Sequence, residues 1–457
     1  MSSVFHKENA LVTDPITCLV PNRSKALKVY NQQVSKLNRH PEDKSDVLES
    51  QRKLQRLGHV DYVNNLPKDQ QDQLSSNAIQ NYIPWRAVWK LSSLTTPCRI
   101  VFDASQPTSS GYSLNSILAK GTNGMNKLVE IFIRWYTYRS AFHTDVTKMY
   151  NSVKLRYQRY LWHDTLNINQ PPEEKVIKTL IYGVRSSGNQ SERGIRQTSS
   201  LSKEVFPAVD RIVKEDLYVD DCMSGEVDDQ TSKQRADQME IALSRGGFGL
   251  KGFTFSGDDP PASLTKDGES IGVGGLIWYP KSDQISIDLD LRNLVDLGLS
   301  WDDAIPDNLR PIWEDNFTMM QEIKTIRYQR TIVPPDAVNL NINTVDFGDA
   351  SKQIAAVAIY ARMLRKNGEY SSQLIFSRSK VISPTTQPRA ELIAAVLNAH
   401  TGEVVRRALK SKHDGSIKLT DSTINLHWIS NDEITLKPFA RNRIIEIKRF
   451  TSSENWY

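Results

Sequence analysis

The sequence has few cysteines, no long apolar run and no internal repeat, and these absences exclude several classes of protein. Three of the 457 residues are cysteine, Cys18, Cys98 and Cys222, which form neither a disulfide framework nor a zinc motif. No apolar run approaches the ~18 residues of a membrane-spanning helix, and the N-terminus lacks an apolar signal-peptide core. We therefore expect no membrane partner and a reducing intracellular compartment, either a cytoplasmic particle or the nucleus.

The bulk composition is that of an ordinary globular protein with a mild basic excess. The chain is 39% hydrophobic and 24% charged, with a net charge of +5. Its length allows two or three domains of ~150 residues each. Basic residues are concentrated near the N-terminus, where residues 22–60 are predicted to form two helices separated by Pro41. Such charge permits nucleic-acid binding, but it is more often simply a solvated helix face.

Two kinds of organisation follow one another along the chain. Up to about residue 290, predicted strands, helices and hairpins are mixed, and a proline-started helix is predicted over residues 171–184. From residue 341 onward, strand and helix patterns alternate, which indicates a compact α/β unit. The stretch 291–340 contains several prolines and only weak periodicity. We interpret that stretch as a connector.

The stretch LYVDDCMSG places Asp220 and Asp221 directly after an apolar run. Taken alone, such a pair is most simply a turn, because an Asp side chain can bond its own backbone. Two-metal phosphoryl transfer, by contrast, requires carboxylates from separate chain segments. Asp145 supplies a further acid at the polar end of a predicted strand, 75 residues before Asp220.

The order of motifs around these acids resembles the reverse transcriptase of long-terminal-repeat retrotransposons, most of all the BEL/Pao group. The N-terminal stretch RSKALKVYNQQVSKLNRHPE is similar to the helical lead-in of that group. The further segments that carry the resemblance are NYIPWRAVWKLSSLTTPCRIVFDASQPTSSGYSLN, TDVTKMYNSVKL, LIYGVRSSGNQSERGIRQT, LYVDDCMSG, GGFGLKGFTFSG and SIGVGGLIWYPKSDQISI. Each motif is weak alone, and their order makes the resemblance specific.

The resemblance implies an α+β polymerase palm-and-fingers (right-hand) domain over residues 1–290, with residues 22–60 as the helical lead-in. It implies that Asp145 and Asp220 bind two Mg²⁺ ions, with Mn²⁺ as the alternative metal, and that Asp221 lies beside them. The implied partners are an RNA/DNA template–primer and deoxynucleoside triphosphates. The sequence does not determine the oligomeric state.

Three basic residues are implied to contact phosphates. Arg99 and Lys90 would meet the triphosphate from the fingers, and a guanidinium suits this role because it bonds phosphate oxygens in pairs. Lys251 would assist the departing pyrophosphate. An ordinary surface lysine is the alternative interpretation of Lys251.

Three further residues are implied to surround the sugar and base of the nucleotide. Tyr150 would lie under the sugar and exclude a 2′-hydroxyl. Gly183 would let the backbone approach the nucleotide closely, as glycine allows. Tyr182 stands where some retroviral relatives have Gln, so this contact departs from the family pattern.

Residues 341–457 resemble ribonuclease H and imply an α/β RNase H-like domain. Asp349, Glu391 and Asp421 follow in the order strand, helix, strand within VDFGDASKQIAAVAIYAR, QPRAELIAAVLNA and IKLTDSTINLHW. A generic α/β domain with scattered surface acids is the alternative, and PRAEL and TDST favour ribonuclease H. The resemblance implies that the three acids bind metal and that the domain cuts the RNA strand of RNA/DNA hybrids.

The chain also departs from the family pattern. The acids Asp432, Glu433, Glu446 and Glu454 match no motif for a fourth nuclease carboxylate, so we expect a C-terminally truncated domain. The stretch after residue 287 is shorter than in the family, and aspartic-protease and zinc-knuckle motifs are absent. We expect the polymerase and nuclease piece of a polyprotein. A catalytically inactive nucleic-acid-binding remnant is the alternative function.

Overall fold

The computed structural model of the protein describes residues 18–76, 81–89, 98–265, 267–287, 310–431 and 436–457. The helices in these ranges are α1 (Arg23–Leu37), α2 (Pro41–Arg56), α3 (Lys68–Ser76), α4 (Leu114–Ile117), α5 (Leu128–Trp135), α6 (Ser187–Leu201), α7 (Pro207–Glu215), α8 (Asp229–Ser244), α9 (Arg310–Thr325), α10 (Gln387–Leu409), α11 (Thr423–Ser430) and α12 (Pro438–Lys448). None of these helices is both long and apolar enough to span a membrane.

The strands form five sheets. They are β1 (Val60–Tyr62), β2 (Trp85–Trp89), β3 (Cys98–Phe102), β4 (Ser140–Thr147), β5 (Lys154–Trp162), β6 (Glu173–Thr179), β7 (Leu217–Tyr218), β8 (Asp221–Glu226), β9 (Gly249–Leu250), β10 (Thr254–Phe255), β11 (Ile271–Val273), β12 (Leu276–Tyr279), β13 (Gln284–Ile287), β14 (Tyr328–Gln329), β15 (Ile342–Ala350), β16 (Ile354–Leu364), β17 (Tyr370–Val381) and β18 (His413–Leu419). Their orders are β1-β6-β5, β2-β3, β10-β4-β8-β7 with β9 on β4, β11-β12-β13-β14 and β17-β16-β15-β18.

The N-terminal core joins helices α1 and α2 to the β1-β6-β5 and β2-β3 sheets. The two predicted helices are confirmed, and Val34 and Val47 on their inner faces are inaccessible to solvent. Their apolar side chains pack in one cluster with Trp85 and Trp162, whose ring centroids lie 4.9 Å apart. This packing holds the β2-β3 hairpin in place.

The helix predicted over residues 171–184 is wrong, because residues 173–179 form the central strand β6. β6 pairs antiparallel with β1 on one side and β5 on the other. Val176 and Ile177 are fully buried, and β-branched side chains fit such a pleated, packed surface well. Lys175 is also fully buried, with its ammonium 4.0 Å from the Tyr62 ring centroid. Strand pairing on both sides outweighs the local helical pattern.

The β10-β4-β8-β7 sheet lies under helices α6, α7 and α8 and carries the hairpin acids. Apolar residues such as Phe142 on β4 and Met239 on α8 form its core. The strand predicted before Asp145 is confirmed as β4.

The β11-β12-β13-β14 sheet extends into the stretch interpreted as a connector, because β14 pairs with β13. Directly after β14, Arg330 is 1% exposed and donates from Nε to Asp283 Oδ1 (2.8 Å) and from Nη2 to Tyr138 O (3.0 Å). Ile332 and Val333 then enter the core of the C-terminal sheet. These residues thus tie the two parts of the chain together.

The C-terminal unit alternates strands and helices as predicted. The antiparallel pairing of β15 with β16 is continuous, whereas the parallel pairing of β15 with β18 has one register shift between Ile342 and Asn343. Helix α10 packs on the buried face of β15. Helices α11 and α12 cover the other side of α10. Trp456 forms a parallel bridge with Lys418, so the last described residues lie beside β18. The molecule is therefore α+β with several sheets.

Candidate carboxylate sites

Strands β4 and β8 bring the predicted polymerase acids together. Asp145 and Asp221 are direct partners in the antiparallel register, and the Val146 amide donates to Asp220 O (2.8 Å). Burial raises the pKa of Asp220, and the negative charges of Asp145 and Asp221 raise it further. The half-buried carboxylates of Asp145 and Asp221 therefore repel the half-buried carboxylate of Asp220.

A strained two-residue turn presents Asp220. Tyr218 and Asp221 are the last paired residues of β7 and β8, which leaves Val219 and Asp220 as the loop. Val219 has φ +54°, a conformation that glycine favours in such turns and that is an outlier for a β-branched side chain. Strain of this kind persists only where the surrounding structure enforces it.

The Asp145 carboxylate is only partly satisfied. Lys251 Nζ donates to Asp145 Oδ2 (2.8 Å), whereas Asp145 Oδ1 is inaccessible and lacks a hydrogen-bond partner among the described residues. Burial raises the pKa of Asp145, and the Lys251 ammonium opposes that rise. A buried carboxylate oxygen without a donor is a place where a cation fits.

Asp221 faces a different neighbour. His143 Nε2 lies 3.4 Å from Asp221 Oδ1. Within the ranges that the structure covers, no group of three or more His, Cys, Asp or Glu side chains is arranged to hold a metal. An ion at Asp145 and Asp220 would therefore need water or substrate phosphate as further ligands, which is usual for Mg²⁺.

Two predicted nucleotide-site tyrosines pack against each other beside these acids, with their ring planes tilted by 57°. The Tyr150 and Tyr182 ring centroids lie 4.6 Å apart. Burial raises the pKa of each phenol, with the charge of Asp220 the next cause in both. Arg99 is exposed on β3, and its positive charge acts on Tyr182 in the opposite direction. Lys90 lies outside the described residues.

Gly183 is required by a close approach of two backbone segments. It has φ +96°, and a Cβ at this position would lie 2.1 Å from Phe102 O on β3. Asn115 Nδ2 donates to Gly183 O (2.7 Å), and the Arg185 amide donates to Asn115 Oδ1 (2.7 Å). The glycine thus fits the 182–185 segment against the β2-β3 hairpin. Asn115 is the last residue of the quoted segment that begins NYIPW, and the sequence assigned no role to it.

The predicted nuclease acids lie at one corner of the C-terminal sheet. Asp349 is the next-to-last residue of β15, and Asp421 follows β18 by two residues. These strands are parallel and pair as far as Phe347 and Leu419, so both acids leave the same edge of the sheet. Both are exposed to solvent.

Glu391 lies on the face of α10 that contacts β15. On this face, Gln387 Nε2 donates to Ala350 O (2.7 Å) and Asn398 Nδ2 donates to Asp346 O (3.0 Å). Glu391 is four residues after Gln387 and seven before Asn398, and this spacing places all three on one side of a helix. The structure therefore turns Glu391 toward the end of β15 that carries Asp349.

A buried ion pair beneath this corner was not predicted from the sequence. Lys418 Nζ donates to Asp346 Oδ2 (2.5 Å) and to Asn398 Oδ1 (3.0 Å). Asp346 is fully buried, Lys418 is 3% exposed, and both precede a predicted nuclease acid by three residues. Charged residues at inward positions of alternating strands were the available signal.

One of the later acids pairs on the far side of α10, and another lies in the C-terminal segment beside β18. Glu446 Oε1 accepts from His400 Nε2 (2.6 Å), and His400 lies on the side of α10 away from the sheet. Glu454 lies in the short 3₁₀ helix Ser453–Asn455, at the C-terminal end of the chain. Asp432 and Glu433 lie outside the described residues.

The alternating strands and helix of the C-terminal unit, with acids at one corner, define a domain of the ribonuclease H-like class. Residues 285–422, which include much of this unit, match the family model of the Pao retrotransposon-like RNaseH-like domain. The predicted resemblance to BEL/Pao retrotransposons is confirmed. The match begins before the predicted connector and includes it.

Two solved structures are similar to larger parts of the chain. One is a foamy viral protease-reverse transcriptase in complex with RNA/DNA hybrid, with 12% identity and a TM-score of 0.46 over 82% of this chain and 49% of that one. The other is a foamy viral protease-reverse transcriptase dRH in complex with double-stranded DNA, with 12% identity and a TM-score of 0.48 over 87% and 66%. The chain thus spans about half of the first protein and 66% of the second. No curated protein matches the chain.

Proposed function

We propose that the protein is an RNA-directed DNA polymerase whose C-terminal domain cuts the RNA strand of RNA/DNA hybrids. Residues 1–290 would form palm and fingers, and residues 341–457 the nuclease. The observation that carries the polymerase is the meeting of Asp145 with the hairpin acids Asp220 and Asp221 across β4 and β8. The family match of residues 285–422 supports the nuclease.

Asp145 and Asp220 would hold Mg²⁺, or Mn²⁺ in its place, with Asp221 beside them. The fit rests on the unpartnered Asp145 Oδ1 and on the mutual repulsion that raises the pKa of Asp220, since a cation would relieve both. Two such ions, when bound, would supply the positive charge for attack of a primer 3′-hydroxyl on the nucleotide α-phosphate and for departure of pyrophosphate.

The protein's own side chains would bind and orient the nucleotide. Arg99 projects from β3 on the side of Tyr182 and would pair with phosphate oxygens. Tyr150, packed against Tyr182, would form a flat floor under the sugar with no room for a 2′-hydroxyl. Lys251, which neutralises Asp145 in this structure, would turn to the pyrophosphate once a cation occupied the carboxylates.

The nuclease acids Asp349, Glu391 and Asp421 would hold metal at the open end of β15 and β18. Asp349 and Asp421 are exposed there, so a hybrid can approach without rearrangement of the sheet. Of the two N-terminal helices, α1 carries four basic residues and no acid. It would contact the nucleic-acid backbone, and such binding should weaken as salt rises.

Primer extension on poly(rA)/oligo(dT) with magnesium and dTTP tests the polymerase. We expect Asp220→Asn to reduce incorporation roughly a thousandfold, the scale on which loss of one electrostatic catalytic group acts. Asp237→Asn, an exposed acid on α8, is the matched control and should retain activity. Equal incorporation by wild type and Asp220→Asn would contradict the assigned site.

Cleavage of a labelled RNA strand in an RNA/DNA hybrid tests the nuclease independently. Asp349→Asn should abolish cleavage, whereas Asp414→Asn, an exposed acid at the opposite end of the same strand pair, should not. Cleavage that survives Asp349→Asn would contradict the assignment.

A second function, a catalytically inactive nucleic-acid-binding remnant, is favoured by one contact. The Lys251 ammonium occupies one oxygen of Asp145 and so competes with a metal for it. On this alternative, wild type would bind template–primer in a salt-dependent way but incorporate no dTTP with Mg²⁺ or Mn²⁺. Incorporation by wild type that Asp220→Asn removes would exclude it.

A further inference from the structure

A buried ionic cluster centred on Asp216 lies beneath the carboxylate hairpin, residues 217–226, which consists of β7, the turn and β8. The proposed polymerase chemistry does not use this cluster. Asp216 is fully buried. Its Oδ1 accepts from Arg134 Nε (2.9 Å), and its Oδ2 accepts from Tyr138 Oη (2.9 Å) and Ser224 Oγ (2.8 Å). A buried carboxylate needs such partners, because an unpaired charge in the interior is strongly unfavourable.

The cluster joins both arms of the hairpin to the segment that leads into β4. Asp216 directly precedes β7, and Ser224 belongs to β8, so one carboxylate links the two arms at their base. Arg134 lies at the end of α5, and Tyr138 lies between α5 and β4. The Asp216 carboxylate therefore fixes the arms that carry Asp220 and Asp221 relative to the strand that carries Asp145.

A lysine from the C-terminal unit completes this cluster. Lys412 ends the short 3₁₀ helix that follows α10, and its Nζ donates to Thr137 Oγ1 (2.8 Å). The same ammonium lies 4.7 Å from the centroid of the Tyr138 ring. Thr137 Oγ1 in turn donates to Arg134 O (2.7 Å). Lys412 thus contacts two neighbouring residues between α5 and β4, and one of them, Tyr138, donates to Asp216.

Neighbouring contacts keep Lys412 in this position. Arg407 Nη2 lies 3.4 Å from Glu130 Oε1 on α5, and Lys410 Nζ pairs with the Glu215 carboxylate. Ile133 of α5 belongs to the apolar cluster that α10 forms with its sheet. Burial lowers the pKa of Lys412, and the negative charge of Asp216 acts against this fall.

We propose that Lys412 of the nuclease-like unit is a positioning residue for the carboxylate hairpin of the polymerase-like unit. Through Thr137 and Tyr138 it stabilises the Asp216 cluster, and the cluster holds the hairpin acids against Asp145. The effect of Lys412 on DNA synthesis rests on the proposed function. Its effect on the order of the hairpin does not.

Hydrogen exchange of the hairpin amides in residues 217–226 tests the structural part on the full chain. We expect Lys412→Met to speed this exchange about tenfold, which corresponds to ~1.4 kcal/mol of local stability. Lys412→Arg keeps the cation and should restore most of the protection. Lys366→Met, at an exposed turn of the same unit, is the matched control and should leave the hairpin unchanged.

A second variant guards against loss of folding. Thr137→Val removes only the hydroxyl that accepts from Lys412 and should speed hairpin exchange in the same direction. Hairpin exchange that stays at the wild-type rate in folded Lys412→Met or Thr137→Val would overturn the proposal.

Primer extension separates this proposal from the proposed function. If both hold, Lys412→Met lowers kcat for dTTP with KM for template–primer unchanged, and Lys412→Arg restores kcat. A wild type without incorporation, together with faster hairpin exchange in Lys412→Met, would remove the polymerase assignment and support the positioning role. Unchanged hairpin exchange beside an active wild type would remove the positioning role alone.

Discussion

The two carboxylate sites of this molecule differ in how far their acids are exposed to solvent. At the polymerase-like site, Asp145, Asp220 and Asp221 are half-buried and close enough for their charges to act on one another. At the nuclease-like site, Asp349 and Asp421 are exposed at a sheet edge. The first site concentrates negative charge where water cannot screen it fully, and the second leaves its acids in solvent.

The difference also decides where each site is stabilised. The polymerase-like acids are held by a strained turn at Val219 and by the buried Asp216 cluster below it. At the nuclease-like site, Asp349 lies near the end of β15 and Asp421 follows β18. The buried ion pair of Asp346 and Lys418 joins these two strands beneath the acids. Replacing one acid by a neutral residue should therefore reduce charge repulsion and stabilise the polymerase-like site, and it should leave the stability of the nuclease-like site unchanged. Breaking the Asp346–Lys418 pair should destabilise the nuclease-like site.

The largest loss of stability is expected when the buried ion pair of Asp346 and Lys418 is broken. Lys418→Met would leave the Asp346 carboxylate buried without its cation, and breaking a buried pair in this way costs about 3–5 kcal/mol. The free energy of unfolding from urea denaturation, followed on the C-terminal unit by hydrogen exchange, measures the loss.

Two further variants make this prediction specific. Lys380→Met, on an exposed position of β17, should change the stability little. The double variant Asp346→Asn/Lys418→Met removes both charges and should recover part of the loss. A single Lys418→Met variant as stable as wild type would show that the pair does not support the nuclease corner.

The next largest loss of stability is expected at Gly183, where the polymerase-like site contacts β3. Gly183→Ala would force a Cβ to 2.1 Å from Phe102 O in a backbone conformation that L side chains rarely adopt. Strain and overpacking together should reduce the free energy of unfolding by about 3 kcal/mol. Gly272→Ala is the matched control, because a Cβ there meets nothing within 4 Å. Similar losses for both variants would argue against the close approach.

The sequence predicted what depends on neighbouring residues and missed what depends on distant ones. Alternation along 342–364 and helical spacing after Pro388 predicted β15, β16 and α10, and the order of motifs placed Asp145 with the hairpin acids. β6 was predicted as a helix because its partners, β1 and β5, are separate segments that no local pattern identifies. A fully paired central position then favours a strand.

The supporting residues show the same limit more sharply. Lys412 contacts Thr137 across 275 residues of sequence, and Lys418 contacts Asp346 across 72. Lys412 lies outside the quoted motifs, and Lys418 lies within IKLTDSTINLHW without a role assigned to it. In the sequence, each is indistinguishable from a surface lysine until the fold brings its partner close. On the proposed function, such residues would act by holding catalytic groups in place, so chemical motifs alone do not reveal them.

A smaller effect should appear in the pH dependence of stability at the polymerase-like site. Because the pKa of Asp220 is raised from 3.8 in the folded state, the unfolded chain loses this proton first as pH rises. The Asp220 carboxyl therefore favours the folded state below its unfolded pKa, and this contribution is lost as pH rises through the folded pKa. In metal-free buffer, Asp220→Asn should be more stable than wild type at pH 7, with the gain vanishing as pH falls below about 4.

Thermal unfolding of both proteins from pH 3 to pH 8 measures this difference, with chelator present throughout. Added Mg²⁺ should then raise the melting temperature of wild type and not of Asp220→Asn, since only wild type keeps both carboxylates. A gain in Asp220→Asn that is constant over the whole pH range would contradict an electrostatic origin.

The smallest effect is expected for the matching substitution at the nuclease-like site. Asp349 is exposed, and its Oδ1 accepts from the Ala350 amide (2.6 Å), a bond that an asparagine oxygen can also accept. Asp349→Asn should thus change the free energy of unfolding by no more than about 0.5 kcal/mol at any pH, as at ordinary surface positions. Asp349→Asn and Asp220→Asn make the same chemical change. Comparing their stabilities in the same buffers therefore reports the effect of the surroundings of each acid. A stabilisation as large as that of Asp220→Asn would mean that the nuclease-like acids repel one another as strongly as the polymerase-like ones.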